Sequence, residues 1–167
     1  MDYMEGERLD KVCNGLPEEE KLDLVDLKGE YIGSLDRGTA IYGRRFNLEG
    51  GPFDMEVEFI HFLLSDTLRV APQILRDIAS CSLRTDHKAV FTLGDFALRN
   101  INAKDGQVMG LLGWENSGWY PEYWEYVRTL NGSDHRLSWY NYAGQIFPNC
   151  YEAEYINDRF LGSLLRH

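Results

Sequence analysis

Along this chain the apolar positions follow two patterns: helical spacing over most of the length, and short continuous runs in the middle. Phe59, Ile60, Leu63 and Leu64 line one face of a helix predicted over 55–66, and Asp54 stands where an N-cap side chain is needed. Pro72 opens the following helix as its first residue, with Ile74, Leu75 and Ile78 on one side. Two more helices are predicted over 135–147 and 151–165. In the last of them, Tyr155, Ile156, Phe160, Leu164 and Leu165 form an apolar stripe. Residues 8–31 are charged and helix-prone, with Pro17, Glu18, Glu19 and Glu20 in a first turn that suits the positive end of a helix dipole and with Leu22 and Val25 facing inward. Gly33, Gly38, Gly43 and Gly50 then break any helix, leaving a short strand or ribbon near 41–46.

Between 89 and 127 the order changes to strand, loop, strand, tight turn, strand, loop and helix. The apolar run ending at Thr92 has strand length and is broken by Gly94 and Asp95. Asp105-Gly106, set between two further runs, favours a tight hairpin turn with positive φ. Trp119, Tyr120, Tyr123, Trp124 and Tyr126 sit around Pro121, which is read as the first-turn proline of a helix. Their spacing makes them core rather than a stacking platform for a sugar or base, because such rings bury large areas and tie a helix to its domain. Glu122 and Glu125, near the start of that helix, match its dipole. The reading is a single domain, 1–167, mainly α with a small β-hairpin at about 89–114.

Composition narrows the class. A chain of 167 residues buries roughly 70% of the surface its unfolded form exposes, enough for a core without staples. The formal net charge of −10 argues against a surface that tracks nucleic-acid phosphates, which needs clustered Lys and Arg. It permits a cationic partner without demanding one. Cys13, Cys81 and Cys150 are odd in number and widely spaced, so they read as reduced thiols rather than as a zinc or redox motif. His61, His87, His135 and His167 are scattered without metal-ligand spacing. No apolar run approaches ~18 residues, and residues 1–5 lack the features of a signal peptide. The expected location is cytoplasmic, with no membrane contact.

The chemistry lies in the broken strand and the hairpin. In kinase-type phosphoryl transfer, one loop supplies a base Asp and, a few residues on, an Asn that holds Mg²⁺; a second Asp follows the next hairpin. Asp95 and Asn100 fit the first two roles, and Gly113 stands where the second Asp is needed. An Asp followed by Asn is a weak signal alone. The strand before it and the hairpin after it mark the pair as derived from such a site, with capping of the local backbone as its present use.

Residues 92–100 and 113–126 carry a more specific likeness. The chain resembles, from about residue 3 to its end, the C-terminal lobe of the aminoglycoside phosphotransferase family, a protein-kinase-like fold, in the small-molecule kinase form common in filamentous fungi. Members of that family read His-Gly-Asp-Leu, three variable residues and Asn, then Ile-Asp-Trp-Glu and a similar aromatic run. The resemblance implies that Asp95 is the base orienting a substrate hydroxyl and that Asn100 is a Mg²⁺ ligand, with ATP and Mg²⁺ as cofactors if the protein is active. It also marks two degenerate positions. Leu93 replaces the His that braces the catalytic loop, and Gly113 replaces the Mg²⁺-binding Asp. Glu115 is not expected to rescue the site, since the family carries Glu there beside its intact Asp. The nucleotide-binding N-lobe, with its Gly-rich loop and Lys, is expected to be absent, the chain starting just after the hinge.

The expectation is a degenerate, inactive small-molecule-kinase-like protein, a pseudokinase without cofactor. Three alternatives stand beside it: an active ATP-dependent phosphotransferase acting on a hydroxylated small molecule; a non-catalytic interaction module that binds a protein partner on the face relatives cover with their N-lobe; and a truncated gene product. The acceptor substrate is not legible in the residues.

Overall fold

The computed structural model describes residues 7–8, 29–42, 48–105, 107–132 and 139–164. Residues 9–28 of the segment expected to be helical, Cys13, Gly106, His135, Leu165 and His167 lie outside them, as does the ribbon beyond Tyr42 up to 46; the described ends of that segment are not helical, Arg8 being in a strand. In chain order the described elements are β1 (Glu7–Arg8), β2 (Gly33–Ser34), β3 (Ala40–Tyr42), β4 (Leu48–Gly50), α1 (Glu56–Val70), α2 (Gln73–Ser82), β5 (Ala89–Thr92), β6 (Ile101–Lys104), β7 (Gln107–Leu111), β8 (Gly118–Pro121), α3 (Trp124–Gly132), α4 (Trp139–Ile146) and α5 (Glu152–Leu164). Five helices thus accompany three small sheets, ordered β1-β6-β7, β2-β8-β5 and β3-β4. None of the described helices is long and apolar enough to cross a membrane.

The hairpin β6–β7 pairs Ile101 with Leu111 and Lys104 with Gln107, with a register irregularity between Asn102 and Ala103. Asp105 adopts φ +54°, the left-handed conformation that a two-residue Asp-Gly loop requires. The second sheet departs from the sequence reading. A loop is expected before Pro121 and a helix after it, but Gly118–Pro121 forms a strand antiparallel to β5, placing Val90 opposite Tyr120 and Phe91 opposite Trp119. Pro121 is the strand's last residue, and the Glu122 N–H just beyond it still donates to the Lys88 carbonyl at 2.9 Å.

The aromatic run supplies the core across this strand-to-helix junction. Tyr120 and Trp124 stack with centroids 5.5 Å apart and planes 4° off parallel, and Phe59 of α1 meets Trp124 edge-on at 5.1 Å. Phe59, Tyr120 and Trp124 are each at most 2% exposed. The Tyr120 hydroxyl is not orphaned by this burial, since Ile41 donates its backbone N–H to it at 2.9 Å. Trp119 is half-buried, against Phe91.

Helix starts differ from expectation by one residue each. At α1 the carbonyl of Met55 accepts from Phe59, so the cap lies one position after Asp54. The Glu58 carboxylate takes the backbone N–H groups of Asp54 and Met55 at 3.2 and 3.4 Å, satisfying end donors that the helix leaves open. At α2 Pro72 is the N-cap, with φ −55° and ψ 148°, rather than the first helical residue. The apolar side of α2 is not its buried one: Ile74 is 65% and Ile78 48% exposed, while Ala79 is buried. Periodicity located the stripe but not its partner, and close approach of α2 to the core is made through a methyl group.

Candidate active site

The loop between β5 and β6 is assembled from its backbone outward. Thr92 ends β5 buried, and Gly94 turns the chain at φ +79°. A Cβ on Gly94 would lie 2.5 Å from the carbonyl oxygen of Asn116, so this position takes glycine for space as well as for conformation. Leu93, where the resembled family has a polar His, is 2% exposed and joins the apolar core.

The bracing of the loop comes from α3. Glu125 is buried and accepts three backbone N–H groups: from Leu93 at 2.6 Å and Gly94 at 3.1 Å on Oε2, and from Phe96 at 3.3 Å on Oε1. One turn on, Arg128 Nε donates to the Gly94 carbonyl at 3.4 Å and the Thr129 hydroxyl to the Phe96 carbonyl at 3.2 Å. Positions i, i+3 and i+4 of one helix face therefore hold both donors and acceptors of the loop. Burial pushes the Glu125 carboxyl above its usual range, and the N–H donors of Gly94, Leu93 and Phe96, with the Arg128 charge, work against that rise.

Sequence reasoning took Glu125 as a dipole partner and did not find this role. A signal existed: Glu125, Arg128 and Thr129 form a polar stripe on a helix whose other faces are Trp124, Tyr126, Val127 and Leu130. All-round burial with polar groups at helical spacing means that those groups find buried partners.

Asp95, Asn100 and Gly113, distant in sequence, are brought to one place. The Asn100 side-chain amide donates to the Asp95 backbone carbonyl and to Asp95 Oδ2, both at 2.8 Å. Its backbone carbonyl accepts from Leu112 N–H at 2.7 Å, fixing the end of β7 beside it. Gly113 follows at φ +80°, and a Cβ there would lie 2.6 Å from Asn100 Nδ2. Arg99 Nη2 donates to both carboxylate oxygens of Asp95, an i, i+4 ion pair with side chains 44% and 26% exposed. Glu115 is exposed in the short turn after Gly113.

This donor set does not fit a divalent cation. Hard cations take several oxygens; the Asp95 carboxylate is already engaged by Arg99 and Asn100, and Gly113 brings no side-chain oxygen. Among the described residues there is no group of three or more His, Cys, Asp or Glu side chains arranged to hold a metal ion.

Comparison with protein-family models, with curated proteins and with solved structures found no match to this chain, so its functional reading rests on the geometry of this loop and on the residues that build it.

Proposed function

We propose that this protein is a degenerate small-molecule-kinase-like domain, akin to the C-terminal lobe of the aminoglycoside phosphotransferases, in which the former catalytic loop is kept as a structural element and does not transfer phosphate. The observation that carries this reading is Gly113 packed against the Asn100 amide with no carboxylate at the position where phosphoryl transfer needs one. Metal-mediated neutralisation of the developing phosphate charge is the main electrostatic help such a reaction receives. Losing one of two anchoring side chains removes its basis. The second support is Asp95 itself: paired with Arg99 and Asn100, it serves as an anchored anion. In this reading no cofactor is bound, and the location is cytoplasmic, where free, exposed thiols such as Cys81 and Cys150 persist.

Calorimetric titration with Mg·ATP tests the proposal. No heat of binding is expected; affinity in the micromolar range, or transfer of the γ-phosphate to an added alcohol, overturns it.

One observation favours a second reading, a module that binds a protein partner. Met109, Leu112 and Trp114, on the segment running through Gly113, are 51%, 37% and 49% exposed. Light scattering that finds only a monomer at high concentration, with no partner captured, counts against it.

A further inference from the structure

His87 lies apart from the loop, between α2 and β5, and its ring is closed in on both edges by carboxylates. Nδ1 stands 2.8 Å from Glu56 Oε1 and Nε2 3.2 Å from Glu154 Oε1. The His87 backbone N–H also donates to Glu56 Oε2 at 2.8 Å. The side chains of His87, Glu56 and Glu154 are only 3%, 5% and 10% exposed. Glu56 is in the first turn of α1 and Glu154 in the first turn of α5, so the ring joins three segments far apart in sequence. Tyr123 packs edge-on against it at 4.6 Å and Tyr151 at 6.3 Å.

Ionised carboxylates only accept hydrogen bonds, and a neutral imidazole has a single N–H. A neutral ring between two carboxylates would therefore leave one nitrogen lone pair facing a carboxylate oxygen. Only the doubly protonated ring satisfies both sides, and its positive charge separates two buried negative ones.

We propose that His87 is held as an imidazolium that latches α5 to α1 through Glu154 and Glu56, and that removal of its proton loosens α5: a pH-sensitive device in the fold. The groups facing the ring are Glu56 from α1, Glu154 from α5, Arg84 and Asp86 from its own loop, Tyr123 from the turn before α3 and Tyr151 from the segment before α5. Arg84 and Asp86 are exposed and paired to each other at 2.9 Å, which leaves the two glutamates as the dominant field. Burial disfavours the charged ring, but the hydrogen bond and charge of Glu56, and then the charge of Glu154, outweigh it and hold His87 above the ordinary histidine range; Arg84 opposes them. A fold that raises a histidine in this way gains stability that is full below the unfolded value of about 6.5 and is lost as pH rises through the raised value. Other ties on α5 survive that loss: Tyr42 donates to Asp158 at 2.8 Å and Asn157 to the Ser82 carbonyl at 2.8 Å. The response is a local loosening.

The test uses the full chain, with imidazole nitrogen NMR to count the ring protons of His87 and amide hydrogen exchange, corrected for intrinsic rates, to follow 152–164 against pH. Two ring protons are expected at neutral pH. Protection of α5, relative to α3, should fall by up to about tenfold per pH unit between the ordinary and the raised histidine value. In Glu154→Gln the side-chain amide can donate to a neutral Nε2 or accept from a protonated one, so α5 should stay docked and its protection should lose this pH dependence. A His87 ring with one proton at neutral pH and ordinary titration overturns the proposal, a result that needs no variant to fold. So does a Glu154→Gln protein that keeps the wild-type pH response.

Discussion

Asn100 fills the space in front of Gly113: a Cβ at 113 would lie 2.6 Å from its Nδ2, while the Gly113 backbone holds φ +80° and ψ 40°. The two positions constrain each other, since the Asn100 amide that would have to move is the one bonded to Asp95. Gly113→Asp, the change that would place a carboxylate here, is expected to lower stability by about 1–2 kcal/mol, from the left-handed backbone and the displaced amide. Urea unfolding checks this as a lower midpoint with an unchanged slope. A midpoint equal to or above that of the parent chain would show that the site has room for a carboxylate.

Glu125 is expected to be the most sensitive polar residue of the loop. Glu125→Gln leaves at least one of three buried N–H donors unmatched, at about 1–3 kcal/mol, and Glu125→Ala leaves all three, at roughly 3 kcal/mol or more. The pH dependence has a definite sign. Because the folded carboxyl is raised, the folded state holds this proton more firmly than the unfolded one, and stability falls as pH rises from the ordinary carboxylate range through the folded value. The wild-type protein minus Glu125→Gln should show that fall; a difference that is flat across the acid range would refute the assignment.

The Asp95–Arg99 pair is short but partly exposed, and such surface pairs contribute little. Arg99→Ala should cost less than about 1 kcal/mol. A loss above 2 kcal/mol by chemical denaturation, on the order of a buried network, would mean that Arg99 supports the loop more than its exposure indicates.

The two sides of the α1–α2 pair should respond in opposite ways. Phe59→Ala, at a ring 1% exposed and in contact with Phe53, Phe62, Tyr120 and Trp124, should cost about 3–5 kcal/mol. Ile74→Lys, at a side chain 65% exposed, should change stability by no more than about 0.5 kcal/mol. Thermal unfolding separates the cases. A large loss for Ile74→Lys would show that the apolar side of α2 is buried after all.

Local signals read correctly where the competing conformations differ most. Asp105 adopts the positive φ its hairpin demands, and the last helix stands at Glu152–Leu164, although Ile156 of its expected stripe is 63% exposed. They failed at Gly118–Pro121, where a proline between aromatic residues suits a helix start and a strand end equally well. Pairing with β5 decided between them. They are silent on whether Ile74 and Ile78 are buried, because an apolar stripe states a preference and the neighbouring element decides whether it is met.

What the sequence determined by itself is the identity of the groups: an Asp and an Asn in a loop between strands, a glycine after the hairpin, and apolar periods long enough to make helices. Tertiary structure alone decided which groups meet. It set Gly113 against Asn100, Glu125 under three loop amides, and His87 between Glu56 and Glu154. The physical reason is that propensity and periodicity act within a few residues of the chain, whereas a buried charge is settled by whichever donor or acceptor the packed core brings within about 3 Å of it, however distant in sequence.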